Sequence, residues 1–324
     1  MLAHRDNYWG IVWRRFTEAP ANYPGVVEWL RRAGPKKPSM YDTAEVWPSI
    51  NEKEELELAT SLAELVDKPQ HEAVQRIKEL EDQHGIRRRH SWCVLGLSPL
   101  ARALEPLATV AELCEKTPGG PTAEAFAELY VKQAWEVDAA ALAVMAACET
   151  AERHGPVLGA LRTLYLPWLE ATARHLQQLL SATGKSPERR HSVPKREAGH
   201  AVMFADGLRF DVAALLKNRL AQDGLEVTLD WDWASLPTVT ATAKPACSPL
   251  GDSLKNGDIS DEFSPNLENG QRVTQDRFVQ ALKTGGWQVL GGTDTGDPAG
   301  SAWTEAGTLD KRGHNEGWKL AHAV

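Results

Sequence analysis

Three groups of residues in this chain have the types and spacing to bind a metal ion or to supply a nucleophile. The first is Asp206, which follows the apolar run His200-Ala-Val-Met-Phe-Ala205 and precedes Gly207. A carboxylate at a strand tip is a good ligand for a hard cation, and glycine lets the chain turn sharply behind it. The second is Leu236-Pro-Thr-Val-Thr-Ala-Thr-Ala243, which carries hydroxyls at Thr238, Thr240 and Thr242. A hydroxyl bound to a metal becomes a nucleophile toward phosphorus. The third is Asp310-Lys-Arg-Gly-His314. Its carboxylate and imidazole, four residues apart, can converge on one metal from a helix face or a glycine-kinked loop.

Each group also has an ordinary reading. Asp206 can cap the helix that follows, the threonines can line one face of a strand, and the Asp310 to His314 stretch can be a solvated charged turn. Gly291-Gly-Thr-Asp294 is glycine-rich enough to approach a phosphate but reads as a turn. The chain has no glycine-rich nucleotide-binding fingerprint, no HExxH and no GxSxG.

The elements that must position these residues fall into two halves. Glu52 to about Glu81 carries Leu56, Leu58, Leu62, Leu65 and Val66 at helical spacing, with an interruption at Pro69. Pro99 to Glu115 repeats the pattern and stops at Pro118-Gly-Gly120. A helix is expected from about Ala123 to His154, broken by Pro156. Its stretch from Ala139 to Cys148, apolar on nearly every face, places it at the centre of a bundle. A further helix covers about Val157 to Ala182, bent at Pro167. Residues 1–183 therefore read as an all-α domain.

Residues 184–197, GKSPERRHSVPKRE, are basic and apolar-poor and read as a linker, or alternatively as a docking segment for phosphate groups. From residue 198 the period changes. A buried strand ends at Ala205, a helix covers Leu208 to Gln222, and a second strand covers Leu225 to Leu229. A helix from Arg272 to Lys283 and a third strand from Trp287 to Leu290 follow. Alternating strands and helices define an α/β layered domain over residues 198–324, whose functional residues gather beyond the carboxyl ends of the strands.

Composition bounds the partners. Among 324 residues, 42% are hydrophobic and 25% charged, and the net charge is −8. An acidic balance argues against a protein that coats nucleic acid, although it leaves room for a local basic patch. Cys93, Cys114, Cys148 and Cys247 form no CxxC pair, which points to reduced, mostly buried thiols. No run approaches the length of a spanning helix and Met1 to Trp13 does not read as a signal peptide, so no membrane and a cytoplasmic location are expected.

Taken in order, strand-Asp-Gly, Pro-x-x-Thr and Asp-x-x-Gly-His resemble the alkaline-phosphatase superfamily, and specifically the PglZ proteins of BREX phage-defence systems. The longer phrases that carry the resemblance are FADGLRFD at 204–211, WASLPTVTATAKPA at 233–246 and GWQVLGGTDTGDPAGSAWTEAGTLDKRGHNEGWKLA at 286–321. Upstream, YPGVVEWLRRAGP and RRRHSWCVLGLSPLARALEPLA are similar to the helical region preceding the phosphatase core. Type B of the family is the nearest.

The resemblance implies an alkaline-phosphatase-like α/β core and a metal-dependent phosphohydrolase with two divalent metals, zinc or alternatively manganese. Asp206 would bind one metal, Thr240 would be the metal-bound nucleophile, and Asp310 and His314 would bind the second. It implies other BREX proteins as partners, and a phosphate ester or nucleic acid as substrate. The family pattern also calls for later ligands, a further Asp-His pair and a His, which do not follow His314; His200 and His322 fall outside it. The core is therefore expected to be incomplete at the C-terminus and the chain weak or inactive alone. The alternative is a phosphatase-like scaffold that binds within the defence complex without its own turnover.

Overall fold

Proline sets where two of the long helices begin. Pro48 and Pro99 occupy first-turn positions, where a missing N–H costs nothing because that donor has no intrahelical acceptor. Threonine does the same work elsewhere. The Thr122 and Thr274 hydroxyls accept from the N–H groups of Ala125 and Arg277 at 3.2 and 3.4 Å and so cap the helices that follow them. The computed structural model describes residues 8–34, 42–148, 151–184, 187–188, 190–255 and 262–323. The chain divides into two units, one ending at Thr183 and the other running Gly184–Ala323.

The first unit is helical: α1 Tyr8–Glu18, α2 Gly25–Ala33, α3 Pro48–Ala63, α4 Gln70–His84, α5 Ser91–Val94, α6 Pro99–Leu113, α7 Ala123–Leu129, α8 Trp135–Ala147 and α9 Ala151–Thr183. A five-residue π-helical turn, Tyr130–Ala134, joins α7 to α8. Leu58 and Leu62 of α3, Ile77 and Leu80 of α4, Leu104 and Leu107 of α6, and Leu164 and Trp168 of α9 are completely buried and form the core.

The centre of this bundle is α6, which packs on α3, α4, α8 and α9. The sequence pattern places α8 there instead. Its alanines are uniformly apolar but small, so one face packs closely on α6 while Ala143 stays in solvent. The break expected at Pro156 is also displaced. The helix stops at Ala147, with Cys148 in an extended conformation, and α9 runs through both Pro156 and Pro167. Helix propagation over 33 residues outweighs the missing N–H at each proline. Burial pushes the thiols of Cys114 and Cys148 up to about 11 and about 12, so both are inert at neutral pH. Cys247, in contrast, is exposed.

The second unit is built on a small parallel sheet of β1 Ala201–Phe204, β2 Gln288–Leu290 and β3 Ala302–Glu305, in the order β1-β3-β2. The register pairs Val202 with Trp303 and Val289 with Trp303, so β3 is central. Around it stand α10 Phe210–Gln222, α11 Thr240–Cys247, α12 Gln275–Thr284 and α13 Leu309–Glu316. Phe278 and Leu282 of α12 pack with Val273, Trp287 and Trp303 in the core of this unit.

Three expectations for this region change. The strand β1 is an edge strand with Met203 64% exposed, not one buried on both faces. Leu225 to Leu229 forms no strand; among the described residues no strand pairs with it, and a strand exists only through a partner's N–H and C=O groups. The central strand β3 lies in a segment the sequence pattern leaves unassigned. Within the expected linker, residues 185, 186 and 189 lie outside the described residues. The remainder is tied to the second unit. The Arg190 and His191 N–H groups donate to Asp232 at 2.8 and 3.2 Å, and the Arg190 guanidinium stands 4.0 Å from the Trp231 ring centroid. No helix among the described residues is long and apolar enough to cross a membrane.

Candidate functional site

The parallel sheet sends its carboxyl ends to one edge, and the chain delivers the candidate residues there. Asp206 lies two residues beyond the end of β1 and is half-buried. Gly207, at φ +78°, makes the turn that follows. A Cβ at that position would stand 3.0 Å from the Asp310 backbone nitrogen and 3.3 Å from its Cα. The glycine therefore does two things: it adopts a left-handed conformation and lets the start of α13 pack against the turn bearing Asp206.

Thr240 reaches the same edge from another direction. The Leu236–Pro237 peptide bond is cis, and Val239 is extended at φ −115°, ψ 152°. The Val239 carbonyl accepts from the Thr242 and Ala243 N–H groups and starts α11, with Thr240 as its first residue. The segment is thus a helix start and not a strand of alternating threonines. The Thr240 Oγ1 donates to Asp206 Oδ2 at 3.0 Å across 34 residues of sequence. Thr242 is used differently, donating to the Phe263 carbonyl at 2.9 Å.

Asp310 and His314 lie one turn apart on α13, with the imidazole Nε2 3.5 Å from Asp310 Oδ1. His314 is exposed. The four candidates therefore form two pairs, Thr240 with Asp206 and Asp310 with His314, joined through the Gly207–Asp310 backbone contact. Their chemistry, two carboxylates, a hydroxyl and an imidazole, suits a divalent cation of the zinc or manganese kind. Their arrangement does not complete one. Among the described residues no three His, Cys, Asp or Glu side chains converge on a point, and zinc sites take three or four protein ligands. His200 is held elsewhere, 3.0 Å from Glu197, and His322 lies beside the Trp318 ring.

Sequence reasoning missed a second layer of the site. Lys244, one turn after Thr240 on α11, donates to Gln275 Oε1 at 2.8 Å and pairs with Glu305 at 3.1 Å. Glu305 ends the central strand β3, so this bridge fixes α11, and with it Thr240, to the sheet. Helical spacing from Thr240 to Lys244 was a usable signal; Glu305 gave none without its strand. A cavity of about 160 Å³ opens beside the hydroxyl, lined by Thr240, Lys244, Ser264, Thr274, Gln275 and Phe278.

The contact at Gly207 makes a measurable prediction. Gly207→Ala and Gly224→Ala both force a side chain into a left-handed conformation, at φ +78° and +84°. That costs about 1–2 kcal/mol each. Position 224 is open, whereas position 207 meets the Asp310 backbone. Urea unfolding of the second unit is expected to show the larger loss for Gly207→Ala; equal losses would mean that α13 does not pack on this turn.

Comparison with protein-family models, with characterised proteins and with solved structures gives no match for this chain.

Proposed function

We propose that the second unit carries the nucleophile-bearing part of a phosphohydrolase core of the alkaline-phosphatase type, PglZ-like, with Thr240 as the attacking group. The observation that supports it is the 3.0 Å bond from the Thr240 hydroxyl to Asp206 at the carboxyl edge of a parallel sheet. A hydroxyl is a weak nucleophile until a neighbouring base or metal draws off its proton. Asp206 accepts the hydroxyl's hydrogen bond, orients Oγ1 and stands where it would take the proton as Oγ1 attacks. Attack would form a bond from Oγ1 to phosphorus as the ester oxygen leaves.

Thr240 and Ala241 stand in the first turn of α11, where N–H groups lack an i−4 acceptor within the helix. Helix starts favour phosphate through those donors and the helix dipole. Lys244, already matched by Glu305, holds the helix and adds little net charge. The two divalent metals that the family resemblance implies need donors beyond the four residues named here. In this reading the other proteins of a BREX defence system are the partners, and a phosphate ester, nucleic acid included, is the substrate class.

A second reading is a phosphatase-like scaffold without turnover. The unconverged ligand pairs favour it, as does a separate helical unit that phosphoryl transfer does not require. Hydrolysis of bis(p-nitrophenyl) phosphate with manganese or zinc supplied separates the two. Slow, metal-dependent release that vanishes in Thr240→Ala supports the enzyme. Release unchanged by Thr240→Ala overturns the assignment of the nucleophile, and absence of release from the unsubstituted chain favours the scaffold.

A further inference from the structure

The helical unit presents an apolar groove that its own core does not fill. On α1, Trp9, Val12, Trp13 and Phe16 recur at helical spacing along one stripe, and on α2 Trp29 and Leu30 face them. The groove between the two helices measures about 590 Å³. Its floor is built on the core: Phe16 and Leu30 are buried, and Phe16 and Trp13 pack on the fully buried Trp92 with ring centroids 5.9 and 6.2 Å away. Its lips are not covered. Trp29 is 76% exposed and Trp9 48%. Single exposed apolar residues are ordinary, but contiguous aromatic ones around a concave surface mark an interaction site.

The charges around the groove select the occupant. The carboxylates on these two helices are already engaged: Glu18 with Arg15, and Glu28 with Arg31, which also holds Glu52. Arg14 and Arg32 have no carboxylate partner among the described residues, and neither has Arg89. Arg32 follows Trp29 by three residues and so stands beside it on the helix surface. Arg14 and Arg89 line a second cavity, of about 340 Å³, on the far side of Trp13. That cavity contains one carboxylate, Glu45, against the two guanidinium groups. In a chain of net charge −8, the groups named around the aromatic groove, five arginines and four carboxylates, leave an excess of one positive charge.

We propose that the α1–α2 groove docks an acidic amphipathic helix of a partner protein. Apolar side chains of that helix, three and four residues apart, enter the cleft between Trp9 and Trp29. Its flanking carboxylates pair with Arg32 on one side and with Arg14 and Arg89 on the other. Arginine suits this role because its planar fork binds a carboxylate through two hydrogen bonds. The groove takes a helix in preference to a strand because two helices already form its walls and a third packs into them by the same ridges. The inference does not rest on the phosphohydrolase reading.

The test uses the full chain and two labelled peptides of about 18 residues, long enough to present such an apolar edge. Both carry the same leucine and phenylalanine stripe; one has glutamate on its flanks and the other lysine. Fluorescence anisotropy is expected to give at least about tenfold tighter binding of the glutamate peptide, with the preference shrinking as salt rises. Trp29→Ala is expected to weaken it at least about tenfold, and exposure of this side chain means the substitution leaves folding intact. The double variant R32E/R89E is expected to bring the two peptides close to equal affinity. Equal binding of both peptides by the unsubstituted chain, or binding of neither, overturns the proposal. So does a concentration-dependent dimer that Trp29→Ala dissolves, which would make a second copy the occupant. Capture by anionic phosphatidylserine vesicles that excludes the peptide would make it a lipid surface.

Discussion

Replacing Arg87 with alanine is expected to lower the unfolding free energy of the helical unit by about 3–5 kcal/mol, the range for removing one partner of a buried ion pair. The guanidinium is 1% exposed. Its Nη2 donates to Asn51 Oδ1 at 2.9 Å, to the Asn51 carbonyl at 3.0 Å and to Glu55 Oε1 at 2.9 Å, and its Nε lies 3.2 Å from Glu54. Asn51 is itself fully buried, and it also donates to the Leu97 carbonyl and accepts from the Ser98 hydroxyl. Glu55 accepts from the Leu100 and Ala101 N–H groups at the start of α6. One side chain therefore joins α3, the turn at 85–89 and the start of the central helix.

The costs are not evenly shared. Glu55 keeps two N–H donors when Arg87 is gone, but Asn51 loses donors it cannot replace with water. Glu54, a third exposed, can rehydrate, so Glu54→Gln is expected to cost less than about 1 kcal/mol. Burial already pushes the Glu54 carboxyl above its usual range, and Arg87 opposes that push. Without Arg87, the folded state binds the Glu54 proton more tightly than the unfolded chain does. The deficit is then smallest below the ordinary carboxylate range and grows as pH rises through the folded value. Urea titrations at pH 4.5 and 7.5 measure both effects. A loss below about 1 kcal/mol at pH 7.5 would show that the network contributes specificity without stability.

Asp206 and Asp310 are legible because strand-end carboxylates and Asp-x-x-Gly-His carry their own spacing. Thr240 is legible only as one of three hydroxyls; the extended Val239, whose carbonyl accepts from the Thr242 and Ala243 N–H groups, decides that it starts a helix while the Thr242 hydroxyl turns to a carbonyl. The strand pairing escaped for a physical reason. Ala302–Glu305 is four residues long and has one β-branched side chain, so period and propensity say little about it. What makes it a strand is burial between two parallel neighbours, which is tertiary information. Leu225 to Leu229 is the converse case: apolar and β-branched in part, it has the local signal and, among the described residues, no partner strand. The same distinction explains the helical half. Leucine spacing located α3 and α6, and the interruption at Pro69 marked where α4 begins, but α8, whose alanines carry no pattern, gave no indication of which face is buried.

Trp303→Ala is expected to cost the second unit about 3–5 kcal/mol, the range for emptying a buried aromatic site. The indole is 1% exposed and stands on the central strand, in register with Val202 and Val289 on either side. It stacks with Phe204 at 6.1 Å between ring centroids and meets Phe278 of α12 edge-on at 5.6 Å. The Phe278 contact joins the sheet to the helix layer and the Phe204 contact ties β3 to β1, of which Phe204 is the last residue, two before Asp206. Emptying the position therefore releases the strand that carries the carboxylate as well as opening a cavity.

Trp303→Phe separates volume from polarity. The indole N–H has no hydrogen-bond partner among the described residues, and a buried donor left unpaired costs about 1–3 kcal/mol. Phenylalanine removes that donor while keeping the ring, so its smaller volume is partly offset and the loss is expected to stay below about 1.5 kcal/mol. Thermal and urea unfolding of the two variants, followed by near-ultraviolet circular dichroism, reads the difference. If Phe and Ala destabilise equally, the indole nitrogen has an acceptor that the folded chain supplies by rearrangement, and Trp303 holds β3 by a polar bond instead of by packing.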